Sequence, residues 1–283
     1  MADIRPMNFG EILDGALMIY RRHFGLFLKL AVTALSVPVV LFAYFGVRAL
    51  ADLREAPFHA LFSLLPIVIV FYVATLVLTA GTIRIISDSY LGRVPRLQDA
   101  LALGISKIIP LVAVGMGKAL VVFLVLFVTG VLAGALAVPL RASGPGLLLV
   151  FALAGAGLWL TLFVACGYGV TTPVVVLEEL ASSFDAFGRS WELTRSFKLK
   201  VLGLACVAFL LCNTLPSQAL QVVAQAVQRT APGAAVVLSV LAVIVPQILA
   251  PIIAAVITLM YYDLRVRREA FDLQVLGQRL GII

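Results

Sequence analysis

Six apolar runs constrain this chain more than any other feature: 30–50, 61–83, 119–140, 146–177, 201–228 and 234–261. A hydrocarbon core of about 30 Å is crossed by roughly 20 helical residues, and every run reaches that length. Lipid offers no partner for backbone N–H and C=O groups, so a spanning segment must be a helix or part of a closed barrel. Barrel strands alternate apolar and polar residues over short segments, whereas these runs are continuous, which selects helices. The expected fold is all-α: a polytopic membrane protein with six transmembrane helices. A composition 63% hydrophobic and only 12% charged, with mean hydropathy +1.13, excludes an ordinary soluble domain.

Orientation follows from the basic residues. Arg5, Arg21, Arg22 and Lys29 precede the first run, and Arg84, Arg93, Arg96 and Lys107 lie between the second and third. Arg189, Arg195, Lys198 and Lys200 lie between the fourth and fifth, and Arg265, Arg267, Arg268 and Arg279 follow the sixth. The opposite side has Arg48, Arg54, Arg141 and Arg229, so the positive-inside rule places both termini in the cytoplasm of a bacterial inner membrane. The segment MADIRPMNFGEILDG lacks the apolar core and cleavage site of a signal peptide. Cys166, Cys206 and Cys212 fall inside the runs without metal or disulfide spacing and read as small apolar fillers.

A tandem organisation emerges from the polar segments. Asp14, Asp99 and Asp185 stand 85 and 86 residues apart, with Asp272 another 87 on, and each of the first three opens an amphipathic segment leading into two spans. The expected units are about 8–90, 95–180 and 182–264, each a cytoplasmic surface helix plus a transmembrane hairpin, followed by a tail at 265–283. The clearest copy is 182–200, SSFDAFGRSWELTRSFKLK, where Phe184, Phe187 and Trp191 recur at helical spacing opposite Asp185, Arg189 and Glu192. Ser182 and Asp185 have capping-box spacing, and the helix is expected to lie flat at the bilayer surface. In the first copy Asn8 is the expected cap. Asp88, Glu178 with Glu179, and Asp263 mark the ends of the even spans. Exposed ion pairs contribute only about 0 to 1 kcal/mol, so solvated carboxylates are the leading reading and pairing with neighbouring surface helices the alternative.

The stretches GEILDGALMIYRRHFGLFL, TPVVVLEE with FDAFGRSWELTR, and YYDLRVRREAFDLQ resemble the membrane-domain family named after the bacterial glycerophosphoryl diester phosphodiesterase. In the multidomain members a separate soluble barrel carries the phosphodiesterase, and this chain contains no counterpart of it. That activity needs catalytic histidines and metal-binding carboxylates, whereas His23 and His59 are expected on opposite sides of the membrane. The resemblance therefore implies a membrane architecture, and the family's name does not carry an activity over to this chain.

Candidate contact residues are few. Lys118 is the one strongly ionisable residue placed to lie within a span; such residues are functional candidates, although this one can also snorkel to the interface. Gln218, Gln221, Gln225 and Gln228 share one helix face that either meets water or lines a cavity, in the second case with Gln247 as a partner. Asn213 and Pro216 suggest that the fifth span either bends or continues as an external surface helix. Gly130 and Gly134, with Gly157, Thr161, Ala165 and Gly169, suggest close helix approach within the second hairpin or between copies of the chain. Arg21, Arg22, Trp191, Arg195, Lys198 and Arg267 are the expected headgroup or interfacial contacts.

No hydrolase triad, phosphate loop, dinucleotide fingerprint or metal-ligand spacing is present, so no cofactor is expected. The net charge of +7 is the basic belt, whose natural partner is anionic lipid and not nucleic acid. The function expected is a non-enzymatic integral scaffold or accessory subunit engaging the cytoplasmic leaflet, with other membrane proteins or further copies of the chain as partners. A transporter or channel for a small or lipid-like solute is the alternative.

Overall fold

The computed structural model describes residues 5–46, 49, 56–140 and 144–270. Arg48, Arg54, Arg141, Asp272 and Arg279 lie outside them. Helix α1 spans Phe9–Leu41 and runs into a π-helical turn at Phe42–Gly46. Then follow α2 (Pro57–Tyr90), α3 (Leu97–Ser106), α4 (Ile108–Leu140), α5 (Gly144–Gly167), α6 (Thr171–Leu177), α7 (Asp185–Thr194), α8 (Lys198–Phe209), α9 (Leu215–Val227) and α10 (Pro232–Glu269). Among the described residues there is no strand, and six helical stretches are long and apolar enough to cross a membrane. The chain is an all-α polytopic membrane protein.

Two stretches are much longer than a bilayer requires. Phe9–Gly46 and α10 each have 38 residues, about 57 Å at 1.5 Å per residue, against a hydrocarbon core of about 30 Å. Their basic ends carry the packed core: Ile12, Ala16, Ile85, Ile86, Val174, Leu193, Leu204, Leu259 and Leu264 are buried together. Toward the other end, Phe62, Phe123, Phe151, Trp159 and Val240 are exposed. In a membrane protein that surface meets acyl chains, so helix packing is dense at one end and loose at the other.

The amphipathic segments depart from free-standing surface helices. In the first unit the segment is continuous with the span, α1 being interrupted only at His23 (φ −116°, ψ 19°), whose Nε2 lies 3.0 Å from Ser89 Oγ. At its start Glu11 accepts the Asn8 backbone N–H at 2.6 Å. In the second unit α3 runs antiparallel along α2: a Cβ at Gly81 would meet Ala100 O, and one at Gly104 would meet Val77 O, an advance of four residues on each helix. The turn before it uses Gly92 at φ 75°, with Arg93 N–H donating to Asp88 O at 2.7 Å, the left-handed ending that glycine permits.

The third segment is shorter than 182–200. α7 ends at Thr194, and Lys198 and Lys200 open the next helix after a turn. Ser182 and Asp185 do cooperate at its start, Ser182 N–H donating to Asp185 Oδ2 at 2.9 Å. α7 rests on protein, with Ala186, Ser190, Leu193 and Thr194 buried.

Two spans are irregular. The fourth run, expected to be continuous over 146–177, is broken at residues 168–170 between α5 and α6. Gly167 O accepts hydrogen bonds from Ser190 Oγ (2.8 Å) and Thr194 Oγ1 (3.2 Å), so α7 satisfies the broken end. The fifth bends at the expected place. A π-helical turn at Leu210–Thr214, with Leu215 N–H donating to Leu210 O, immediately precedes Pro216 and makes room for its ring.

Candidate functional site

The basic end of the molecule is held by three carboxylates, one at the end of each even-numbered span. Asp263 of α10 is fully buried; it accepts from Lys200 Nζ at 2.6 Å, from Arg267 Nε at 3.0 Å and from the Met7 backbone N–H at 2.7 Å. Lys200 and Arg267 also donate to Met7 O, at 2.8 and 3.0 Å. The N-terminal segment, α8 and α10 are thereby tied at one point. Glu178, just after α6, accepts from Arg189 Nε of α7 at 3.0 Å and from the Tyr261 hydroxyl of α10 at 2.7 Å. Arg189 also pairs with Glu269. Burial opposes the Arg189 charge, but the hydrogen bond and field of Glu178, reinforced by Glu269, hold its pKa above the ordinary arginine value.

Asp88 is the exception in kind. It pairs with Arg84 of its own helix at 2.9 Å, and its Oδ1 is buried with no partner among the described residues. Beside it Ser87 and Tyr262 share a 2.6 Å hydrogen bond, and Tyr262 stacks on Tyr90. The expectation of chiefly solvated carboxylates thus fails for Asp88, Glu178 and Asp263, which are carried into packed surroundings at the ends of the spans, and holds for Glu179, which is exposed. Asp263 and Glu178 join different helices, whereas Asp88 pairs within α2.

Lys118 sits ten residues beyond Ile108 on α4, about 15 Å along the helix. Its ammonium donates to Thr172 Oγ1 at 3.1 Å, so it engages the start of α6 and not a carboxylate. The lower lysine, Lys107, donates to Val175 O at 2.8 Å.

The glutamine face is turned outward. Gln218 and Gln225 are exposed, Gln221 is half-buried and Gln247 is exposed, and no hydrogen bond joins Gln247 to the stripe among the described residues. The contact between α9 and α10 buries Ala224, Ala235 and Ala242 instead. Measured from Lys200 at its ion pair with Asp263, Gln225 and Gln228 lie about 37 and 42 Å along the helix, beyond a 30 Å hydrocarbon core. That favours water or headgroups as the partner of those two amides.

The expected interfacial residues divide. Arg21, Arg22 and Arg195 are exposed. Trp191 lies against Gly167, which has no side chain to displace it, and against Tyr168 and Phe163. Lys198 caps that aromatic group, its Nζ 3.2 Å from the Phe163 ring centre and 3.6 Å from that of Trp191. Arg267 is engaged by Asp263. Gly157 packs against Thr129 within the second hairpin, whereas Gly130 and Gly134 face open space.

Tyr261, Tyr262 and Thr172 were not among the candidates. The two tyrosines preceding Asp263 at the end of an apolar run were the available signal, since buried phenols seek polar partners. Among the described residues no group of His, Cys, Asp and Glu is arranged to hold a metal, and Cys166, Cys206 and Cys212 are free thiols. Comparison of the chain with protein-family models, curated proteins and solved structures gives no match.

Proposed function

We propose that this protein is a non-enzymatic integral membrane scaffold whose basic end faces the cytoplasm, grips the anionic leaflet and docks other membrane proteins. The observation that carries this reading is the rim of that end, where exposed apolar side chains alternate with exposed cations. Met18, 66% exposed, stands near Arg21 and Arg22; Val94, at 82%, lies between Arg93 and Arg96; Leu199, at 86%, lies four residues from the exposed Arg195. Apolar side chains entering the acyl boundary beside headgroup-binding cations are the pattern of an interfacial surface, and each cation adds about 1 kcal/mol of attraction to an anionic membrane. Asp263, Glu178, Lys200 and Arg189 hold helices to one another, which supports a structural role for them. The resemblance to the phosphodiesterase-associated membrane domains agrees with this reading.

The transporter alternative draws on the break in the fourth span and on Lys118, and less on the glutamine stripe, whose members are mostly exposed. The test is lipid selectivity around the full chain in nanodiscs of mixed phosphatidylglycerol and phosphatidylcholine, together with purification in several mild detergents. Enrichment of phosphatidylglycerol that falls when Arg21, Arg22, Arg93 and Arg96 are changed to Gln, with a stoichiometric co-purifying protein, supports the scaffold. A monomer with no lipid preference and no companion rejects it.

A further inference from the structure

Lys118 continues the inward stripe of α4: Leu111, Val114 and Lys118 fall at i, i+3 and i+7, and the first two are buried. Between Lys118 and Ala135 no residue of α4 is buried. The lysine therefore stands at the edge of the packed core. An ammonium has three N–H donors; Thr172 Oγ1 takes one, and no other acceptor is present among the described residues. Among the described residues Lys118 pairs with no carboxylate: Glu178 is engaged by Arg189, and Asp88 pairs with Arg84 through one of its two oxygens.

A second hydroxyl lies against the same turn of α4. The Tyr72 phenol of α2 lies against Gly115, one turn of α4 before Lys118, so closely that a Cβ there would come within 2.7 Å of its oxygen. The ring itself is partly exposed. One cation and two hydroxyls, contributed by α2, α4 and α6, thus flank a single turn of α4. A cation held within an apolar region is costly unless an anion or water reaches it. Lysine acts there as a point charge suited to a phosphate oxygen, and hydroxyls supply the neutral hydrogen bonds.

We propose that Lys118, Thr172 and Tyr72 form a binding site for a singly charged phosphate group, reached sideways between α2 and α4. One positive charge matches one negative charge, as in a phosphodiester headgroup or monobasic phosphate. Exposed Leu120 and Phe123, farther along α4, offer apolar surface to acyl chains when the phosphate belongs to a lipid.

The experiment is native mass spectrometry of the full chain released from nanodiscs of equal phosphatidylglycerol and phosphatidylcholine, with inorganic phosphate titrated separately onto delipidated protein. Loss of one charge-assisted contact corresponds to at least about a tenfold fall in affinity. Lys118→Met is expected to lose one tightly held phosphatidylglycerol that Lys118→Arg keeps. Saturable phosphate binding abolished by Lys118→Met, without a held lipid, supports the same site with a free anion as its source. If Lys118→Met does not fold, Thr172→Val replaces it, and acetylation of the Lys118 amine in the unaltered chain should slow severalfold when lipid or phosphate is bound. Equal lipid and phosphate binding by the unaltered and variant chains, or acetylation at the same rate with and without both ligands, overturns the proposal. No rim cation is altered, so this outcome is separate from that of the leaflet reading.

Discussion

Lys200 and Asp263 are 63 residues apart in the chain and 2.6 Å apart in space, and Asp263 has no solvent exposure. Around that contact Arg267 and the Met7 N–H complete the carboxylate's partners. Removing one member of a buried ion pair costs about 3 to 5 kcal/mol because the other charge is left uncompensated. Asp263→Ala is expected to destabilise the protein by about 3 kcal/mol, since Lys200 and Arg267 are partly wetted and can recover some solvation. It should also expose the N-terminal segment to protease. Thermal unfolding in detergent and limited proteolysis measure both effects; an unchanged unfolding temperature would remove Asp263 from its place as a tie between helices.

Much of the architecture was legible because lipid simplifies the problem. Runs of apolar residues leave the backbone few alternatives to a helix, so all six long helices were visible in the sequence, as was the bend before Pro216. The break at 168–170 was not, because Gly167, Tyr168 and Gly169 carry no helix-ending residue as strong as proline. What ends α5 is tertiary: Ser190 and Thr194 accommodate the freed Gly167 carbonyl. Ion pairing at Asp263 and Glu178 stood only as the alternative to solvation, since sequence spacing does not reveal that the basic ends of the long helices pack together. Lys118 could be singled out by its charge, but its partner Thr172 lies 54 residues away.

Glu178 links α7 to α10 through two different donors, Arg189 and the Tyr261 hydroxyl. A double-mutant cycle with Glu178→Gln and Tyr261→Phe should show a coupling of about 1 to 2 kcal/mol, the scale of a hydrogen bond to a charged acceptor. Unfolding in detergent of the two single variants and the double variant supplies the number. Additive effects would mean that the tyrosine hydroxyl contributes nothing through this carboxylate.

Glycines in the second hairpin should differ sharply. Gly167→Ala places a methyl group against the Trp191 ring, and overpacking of this kind costs about 1 to 3 kcal/mol. Gly130→Ala and Gly134→Ala enter open space and should be neutral or slightly stabilising, since alanine is the better helix former. Thermal unfolding of the three variants tests the contrast. Destabilisation at Gly130 or Gly134 comparable to that at Gly167 would point to a contact on that face which the isolated chain lacks.

The cations first grouped as headgroup contacts should separate into two sets. Lys198 lies over the rings of Phe163 and Trp191, and a desolvated cation–π contact contributes about 2 kcal/mol, with exposed examples nearer 0.5 to 1. Lys198→Met should therefore lower stability, and coupling to Trp191→Leu should show that the ring is the reason. Arg21→Gln and Arg22→Gln remove exposed charges and should leave stability within about 0.5 kcal/mol while reducing preference for anionic lipid. Unfolding and lipid-selectivity measurements on the same variants decide the matter. If Lys198→Met changes lipid preference as the arginine variants do and leaves stability intact, its ring contact has no energetic role in holding α8 against α5.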